Sequence, residues 1–183
     1  PADLSIEGSL IAYGNMTLSG DISVGGTVYC DSGTLNLNGN ELIVNGDVWV
    51  SRSNNNAYLN VNKGKLYING DLNLCRSDGN YTQGYLTMKN DEDYILVNGD
   101  MLVYSTYNYN TLTAGAIELK GDFTQKIYHS NYANNFYASG THKMLLSGDS
   151  LQTVSFASTS SRFNVVDVKN FSGMYEPTCH DVS

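Results

Sequence analysis

The sequence predicts an all-β fold, a single-stranded parallel β-helix of about six rungs, and three observations lead there. A short phrase, reading apolar, any, apolar, polar, Gly, Asp, apolar, recurs six times and carries Asp21, Asp47, Asp71, Asp100, Asp122 and Asp149 at gaps of 26, 24, 29, 22 and 27 residues. Self-similarity at a period of about 20–50 residues marks stacked or arrayed folds. Within each copy, apolar residues alternate with a period of two, the signature of a strand with one buried face. No 3.6-residue apolar period persists for roughly ten residues, so helix is nearly absent.

The elements follow in order. Residues 1–15 supply a partial first rung. Five residues before the six aspartates stand Met16, Leu42, Leu66, Ile95, Ile117 and Met144; three before stand Leu18, Val44, Ile68, Val97, Leu119 and Leu146. After the aspartates come Ile22/Val24, Val48/Val50, Leu72/Leu74, Met101/Val103 and Phe123/Gln125, with Leu151 and Val154 in the slipped last copy. Leu35/Leu37, Leu59/Val61 and Leu86/Met88 form a third set upstream. Each repeat thus holds about three short strands between polar corners. The Asn-Gly pairs also fit hairpins, but hairpins require neighbouring strands to pair with each other. Stacking copy on copy places like residues about 4.8 Å apart and keeps every inward position apolar. Residues 165–183 read as a cap or tail. The 183 residues make one domain, 1–183, and a chain that opens on Pro1 reads as excised from something longer.

The corners carry two expectations. Asn38–Gly39, Asn45–Gly46, Asn69–Gly70 and Asn98–Gly99 supply residues that tolerate positive φ. The six aspartates, stacked at one corner, bring like charges close together. Turn chemistry, in which Asp accepts a backbone N–H two residues on, offsets that repulsion. Calcium is the alternative, there and at the acidic stretch Asp91, Glu92, Asp93, although the calcium-binding nonapeptide pattern is absent.

The net charge of −8 and the scarcity of Lys and Arg argue against nucleic acid and against anionic lipid. No apolar run is long enough for a membrane span, and no basic-then-apolar leader opens the chain. Cys30, Cys75 and Cys179 are too few and too scattered for a disulfide framework or a zinc site. Two rungs separate Cys30 from Cys75, about 9–10 Å, too far for a bridge.

Function on a solenoid sits in its insertions. Residues 51–57, 75–85, 104–115 and 126–140 leave the repeat after equivalent strands, so they should emerge side by side along one edge. They contain Tyr81, Tyr85, Tyr104, Tyr107, Tyr109, Tyr128, Tyr132, Phe136 and Tyr137, interleaved with Asn54–Asn56, Asn80, Asn108, Asn110, Asn131, Asn134 and Asn135. Tyr with Asn, Ser and Gly is the composition of binding loops: rigid rings give contact area and amides adapt their hydrogen bonds. Rings also stack on the apolar faces of sugars. Packing over the rung beneath is the competing role for these rings. Trp49, between inward Val48 and Val50, should face outward with Ser23, Asn73, Leu102 and Thr124, near Tyr67. Trp49, Tyr81, Tyr85, Tyr104, Tyr107, Tyr109, Tyr128, Tyr132 and Tyr137 are the candidate ligand-binding residues; no catalytic residue, metal ligand or cofactor is assigned.

Nucleophile, phosphate-loop and zinc-protease motifs are absent. His129, His142 and His180 lack metal-ligand spacing and read as solvated. Inverting hydrolases need two carboxyl groups about 6.5–9.5 Å apart, and no such pair is legible among outward positions rich in Asn, Thr, Ser and Tyr. A Thr ladder for ice is broken, since Thr17 aligns with Ile43, Tyr67 and Leu96.

The phrases Gly33–Thr34–Leu35–Asn36–Leu37–Asn38–Gly39–Asn40 and Leu42–Ile43–Val44–Asn45–Gly46–Asp47 resemble the Asn/Gly-rich repeats of large bacterial surface proteins, including filamentous-haemagglutinin-like adhesins. Gln152–Thr153–Val154–Ser155–Phe156, Phe163–Asn164–Val165 and Val168–Lys169–Asn170 are similar to recurring phrases in such exported proteins. The resemblance implies an extracellular, rod-like module with an adhesive or spacer role, facing a glycan or a host or neighbouring cell and flanked by further repeats. A structural stalk is the alternative. A polysaccharide-degrading enzyme is the second alternative, because pectate lyases and polygalacturonases resemble this chain in predicted architecture.

Overall fold

A computed structural model describes residues 4–106 and 108–169, with the Tyr132 side chain left out. Period-two alternation and frequent corners keep every strand to two to four residues. The described strands form three sheets, all of them parallel. The first runs Leu4–Ile6, Ile22–Val24, Glu41–Val44, Lys65–Ile68, Tyr94–Val97, Ala116–Leu119, Lys143–Leu146 and Val165–Val168. The second runs Leu10–Ala12, Val28–Cys30, Val48–Val50, Leu72–Leu74, Met101–Val103, Phe123–Gln125 and Val154–Phe156. The third runs Met16–Thr17, Gly33–Asn36, Ala57–Asn60 and Gly84–Thr87, and single bridges extend it through Met88, Leu112 and Ala138. In each sheet, a strand's neighbours are its equivalents one turn earlier and one turn later. The architecture is thus of the β-solenoid class. One 3₁₀ turn, Ser130–Tyr132, interrupts it, and among the described residues no helix is long and apolar enough to cross a membrane.

The register keeps apolar side chains in line. Leu42, Leu66, Ile95, Ile117 and Met144 form one interior column, and Val44, Ile68, Val97, Leu119 and Leu146 another, all buried. The second sheet contributes Val28, Val48, Leu72, Met101 and Phe123. The third contributes Leu35, Leu59 and Leu86. Each fully buried Leu, Ile or Phe stabilises the fold by about 1.5–3 kcal/mol over its exposed state. Toward the C-terminal end Phe123 meets Phe136, Phe156 and Phe163 at centroid distances of 5.0, 5.1 and 4.8 Å. In the second sheet's column the aliphatic residues Val28, Val48, Leu72 and Met101 give way to Phe123, whose ring joins the aromatic cluster.

The first copy of the phrase is out of phase with the others. Ile22 pairs with Leu42, 20 residues on, while Met16 and Thr17 pair with Leu35 and Asn36 in the third sheet. Thr17 therefore does not align with Ile43, which pairs with Ser23. The equivalent of Gly46 is Gly26, which lies one turn earlier and accepts the Gly46 N–H. The first sheet accordingly holds eight strands where six copies are legible, since the turns at either end lack a Gly-Asp signature.

The Gly-Asp pair is a matched device between turns. Asp47 Oδ1 accepts the Asp71 N–H at 2.9 Å, Asp71 that of Asp100 at 2.8 Å, and Asp100 that of Asp122 at 2.7 Å. Asp122 accepts the Thr153 N–H at 2.7 Å, and at the other end Ser9 Oγ accepts the Thr27 N–H at 3.2 Å. The carboxylate thus bonds the turn above, not its own turn two residues on. A charge-assisted bond per step offsets the like-charge contact. Asp21 and Asp149 stand outside this column: Asp21 accepts the Glu41 N–H, and the last copy carries an insertion that ends at Gln152, whose Oε1 accepts the Gly148 N–H. The glycines are required by proximity. A Cβ on Gly70 or Gly99 would lie 2.2 Å from the aspartate Oδ1 of the turn below. Of the four Asn-Gly corners, only Asn38–Gly39 takes positive φ, at 50° and 80°. At the other three the asparagines ladder instead, Asn69 donating to Asn45 at 3.0 Å and Asn98 to Asn69 at 2.9 Å.

Candidate recognition surface

The longer insertions leave the second sheet from stacked positions. Ser51 donates its N–H to Cys30, Tyr104 to Leu74 and Lys126 to Val103, each one turn back. Behind these exits runs a buried polar seam. Thr82 bonds the Ser51 hydroxyl at 2.7 Å and pairs with Ser105. Asn135 donates to the Ser105 and Lys126 carbonyls at 3.0 and 2.8 Å and accepts from Gln125 at 2.8 Å. Asn108 donates to the Asn135 carbonyl at 3.2 Å. Ser161 donates to the Ala133 carbonyl at 2.9 Å and accepts the Phe136 N–H at 3.2 Å. Buried amides stabilise when their groups are paired; apart from Asn108 Oδ1, which has no partner among the described residues, the side-chain groups of this seam are bonded and tie the loops to one another.

The candidate aromatic residues fall into separate groups. Tyr81 stacks on Tyr128 at 4.7 Å and meets Tyr104 edge-on at 6.3 Å. Tyr128 is 63% exposed. Tyr109 and Tyr137 lie 5.3 Å apart, and Arg162 covers the Tyr137 ring at 4.2 Å. Tyr109 is 46% exposed. Tyr85 is not a loop residue: it belongs to the strand Gly84–Thr87 and stacks on Tyr58 at 4.6 Å with an interplanar angle of 12°. Trp49 faces outward on the second sheet and is half-buried. It pairs with Tyr29 and Asn73, and Asn73 with Leu102. Ser23 lies on the first sheet instead, because the first repeat is shifted, and Tyr67 lies on that sheet as the equivalent of Ile43. Tyr107 and the Tyr132 side chain lie outside the described residues, as do Cys179 and His180.

Phe136 takes the packing role that the sequence also offered for the loop rings, buried in the aromatic cluster. Other residues of the loops have roles that sequence reasoning missed. Asn108 and Asn135 brace the loops from inside, so their amides do not face a ligand. His142 is not solvated: it is 1% exposed, packs edge-on against Phe136 at 6.5 Å, and both ring nitrogens lack a hydrogen-bond partner among the described residues. Burial pushes its pKa down to about 4, against a smaller opposing attraction from Asp93. His129 caps the 3₁₀ turn, its Nδ1 accepting the Asn131 N–H.

The acidic stretch resolves into one buried carboxylate and two exposed ones. Asp93 accepts the backbone N–H groups of Lys63, Lys89 and Asn90 at 2.5, 2.6 and 3.0 Å. Asp91 accepts the Thr141 hydroxyl at 3.0 Å. Among the described residues, no three His, Cys, Asp or Glu side chains cluster to hold a metal ion. Cys30 and Cys75 are buried free thiols, pushed up to about 11 by burial.

The surface of the described residues includes three hollows of note. Two lie at the N-terminal end: one of about 400 Å³ is lined by residues 16–22 and Leu4, and one of about 270 Å³ lies beside Ile43. The third, about 290 Å³, lies on the outward face of the third sheet. None of these three is lined by a candidate tyrosine. Comparison with protein-family models, with curated proteins and with solved structures returns no match.

Proposed function

We propose that the chain is a single-stranded parallel β-helix displayed on a bacterial surface, and that its loop-bearing corner recognises a glycan on a host or neighbouring cell. The observation that carries this reading is the Tyr81–Tyr128 stack, which presents Tyr128 to solvent from loops held by the Asn108–Asn135 seam. Loops that bind gain affinity from being ordered beforehand. An exposed ring on a rigid support offers an apolar face for a pyranose, and Tyr109 adds a second exposed ring.

A glycan array tests the reading. The purified chain should bind a subset of glycans, and Tyr109→Ala with Tyr128→Ala should abolish that binding while shifting the melting temperature little, since neither ring is buried in the core. An array with no bound glycan would sink it. One observation favours a structural stalk instead. Val165, Val166 and Val168 are exposed on the last strand of the first sheet, an unpaired edge among the described residues, and such edges invite pairing with another chain or with further repeats.

A further inference from the structure

We propose that the outward face of the third sheet carries a second saccharide site, built to hold a neutral hexose. The hollow of about 290 Å³ on this face is lined by Asn60, Asn62, Thr87, Lys89, Asn90 and Asp93. It lies where the strands Ala57–Asn60 and Gly84–Thr87 turn toward the first sheet, two turns of the chain stacked in register with Thr87 directly over Asn60. The site shares its ligand class with the loop corner and none of its residues.

Its walls are fixed in advance. Asp93 forms the floor and gathers the N–H groups of Lys63, Lys89 and Asn90, so one buried carboxylate ties together the corners of both turns. Asn62 is held at a φ of 46°, and its amide donates to Asn36 Oδ1 at 3.1 Å. A hollow whose backbone is already ordered does not lose that freedom on binding.

Three of the six polar side chains lining the hollow, those of Asn60, Thr87 and Lys89, remain unspent. Elsewhere on this molecule stacked asparagines satisfy one another, as Asn45, Asn69 and Asn98 do. Asn60 also stacks, above Asn36, yet its side chain makes no hydrogen bond among the described residues, and neither do those of Thr87 and Lys89. An amide, a hydroxyl and an ammonium are thus offered together. They supply both donors and acceptors, the combination that sugar hydroxyls need. The single acidic group is already engaged by three backbone N–H groups and the Asn90 amide, which leaves it little capacity for a cation. Lys89 is the only basic side chain in the lining, so the lining carries no net charge and suits a neutral ligand. Tyr58 and Tyr85 stand two residues earlier on the same faces, about 7 Å along the strands. Their stacked rings form an aromatic wall beside the hollow.

The test is an amide-resolved NMR titration of the full chain with the methyl glycosides of glucose, galactose, mannose and N-acetylglucosamine. At least one should give saturable shifts centred on Asn60, Asn62, Thr87 and Lys89. Asn60→Ala with Thr87→Val should weaken that binding by at least about tenfold, the effect of losing two paired polar contacts, with the melting temperature kept. Tyr109→Ala with Tyr128→Ala should leave it unchanged, so failure of this site and failure of the loop corner are read separately. The proposal is overturned if no glycoside produces saturable shifts at these residues, if the Asn60/Thr87 variant binds as tightly as the parent, or if only the tyrosine variant loses binding.

Discussion

The turns carrying Leu42, Leu66 and Ile95 and the corner carrying residues 104–115 and 126–140 solve the same problem with opposite materials. In the regular turns the interior is apolar and polar groups ladder on the outside: asparagine on asparagine, aspartate on the next backbone N–H. At the loop corner the interior is polar, with Ser51, Thr82, Ser105, Asn108, Gln125 and Asn135 buried behind aromatic residues. An apolar column tolerates any residue of similar volume. A buried polar seam ties each of its bonded groups to a particular partner. The regular turns therefore specify a scaffold that repeats, and the corner specifies one arrangement of loops.

The largest predicted effect falls where the two materials meet. Phe136 leaves the polar seam and enters the aromatic cluster, so Phe136→Ala should destabilise the chain by about 3–5 kcal/mol in urea unfolding. A cost below about 1 kcal/mol would mean that the loops are not anchored to the core.

His142 sharpens the comparison through pH. Its folded pKa, about 4, lies below the unfolded value near 6.5. Between these values the unfolded chain binds a proton that the folded chain refuses. The stability that neutral His142 allows is thus present at pH 7 and is lost as pH falls toward 4. The loss should reach about 2 kcal/mol by pH 5, and His142→Gln should remove that part of the slope. Parallel pH profiles for parent and variant would show that the ring is not buried in solution.

The aspartate ladder gives the smallest effect. Asp71→Ala removes the acceptor for the Asp100 N–H, which water partly replaces at this exposed corner, and should cost about 1 kcal/mol. Asp71→Asn keeps an acceptor and sheds a charge, so it should cost less than half of that. Equal losses for the two variants would assign the ladder's value to charge and contradict the geometry.

The comparison also explains what the sequence made legible. Interior columns such as Leu42–Leu66–Ile95 follow directly from alternation and period, since both are properties of neighbours in sequence. The phase of the first repeat does not, because Met16–Ile22 has the right letters while Thr27, not Asp21, occupies the ladder. Tyr85 had a usable signal: Tyr85, Leu86 and Thr87 repeat Tyr58, Leu59 and Asn60. His142 had one too, since counting back by two from Leu146 and Met144 places it inside. Asn108 and Asn135 offered none, because a loop amide turned inward is spelled as one turned outward. The hollow at Asn60 and Thr87 was equally hidden, as it draws on residues from two separate turns and the corner above them.

Parallel stacking of successive turns supports every assignment above, and spin-label distances across the outward positions of the first sheet test it most directly. Ile43, Tyr67, Leu96, Glu118 and Leu145 are paired in succession. Labels at 43 paired in turn with 96, 118 and 145 should give separations that rise by about 4.8 Å for each turn. Separations that fail to rise steadily along that series would contradict the stacking, and with it both proposed saccharide surfaces.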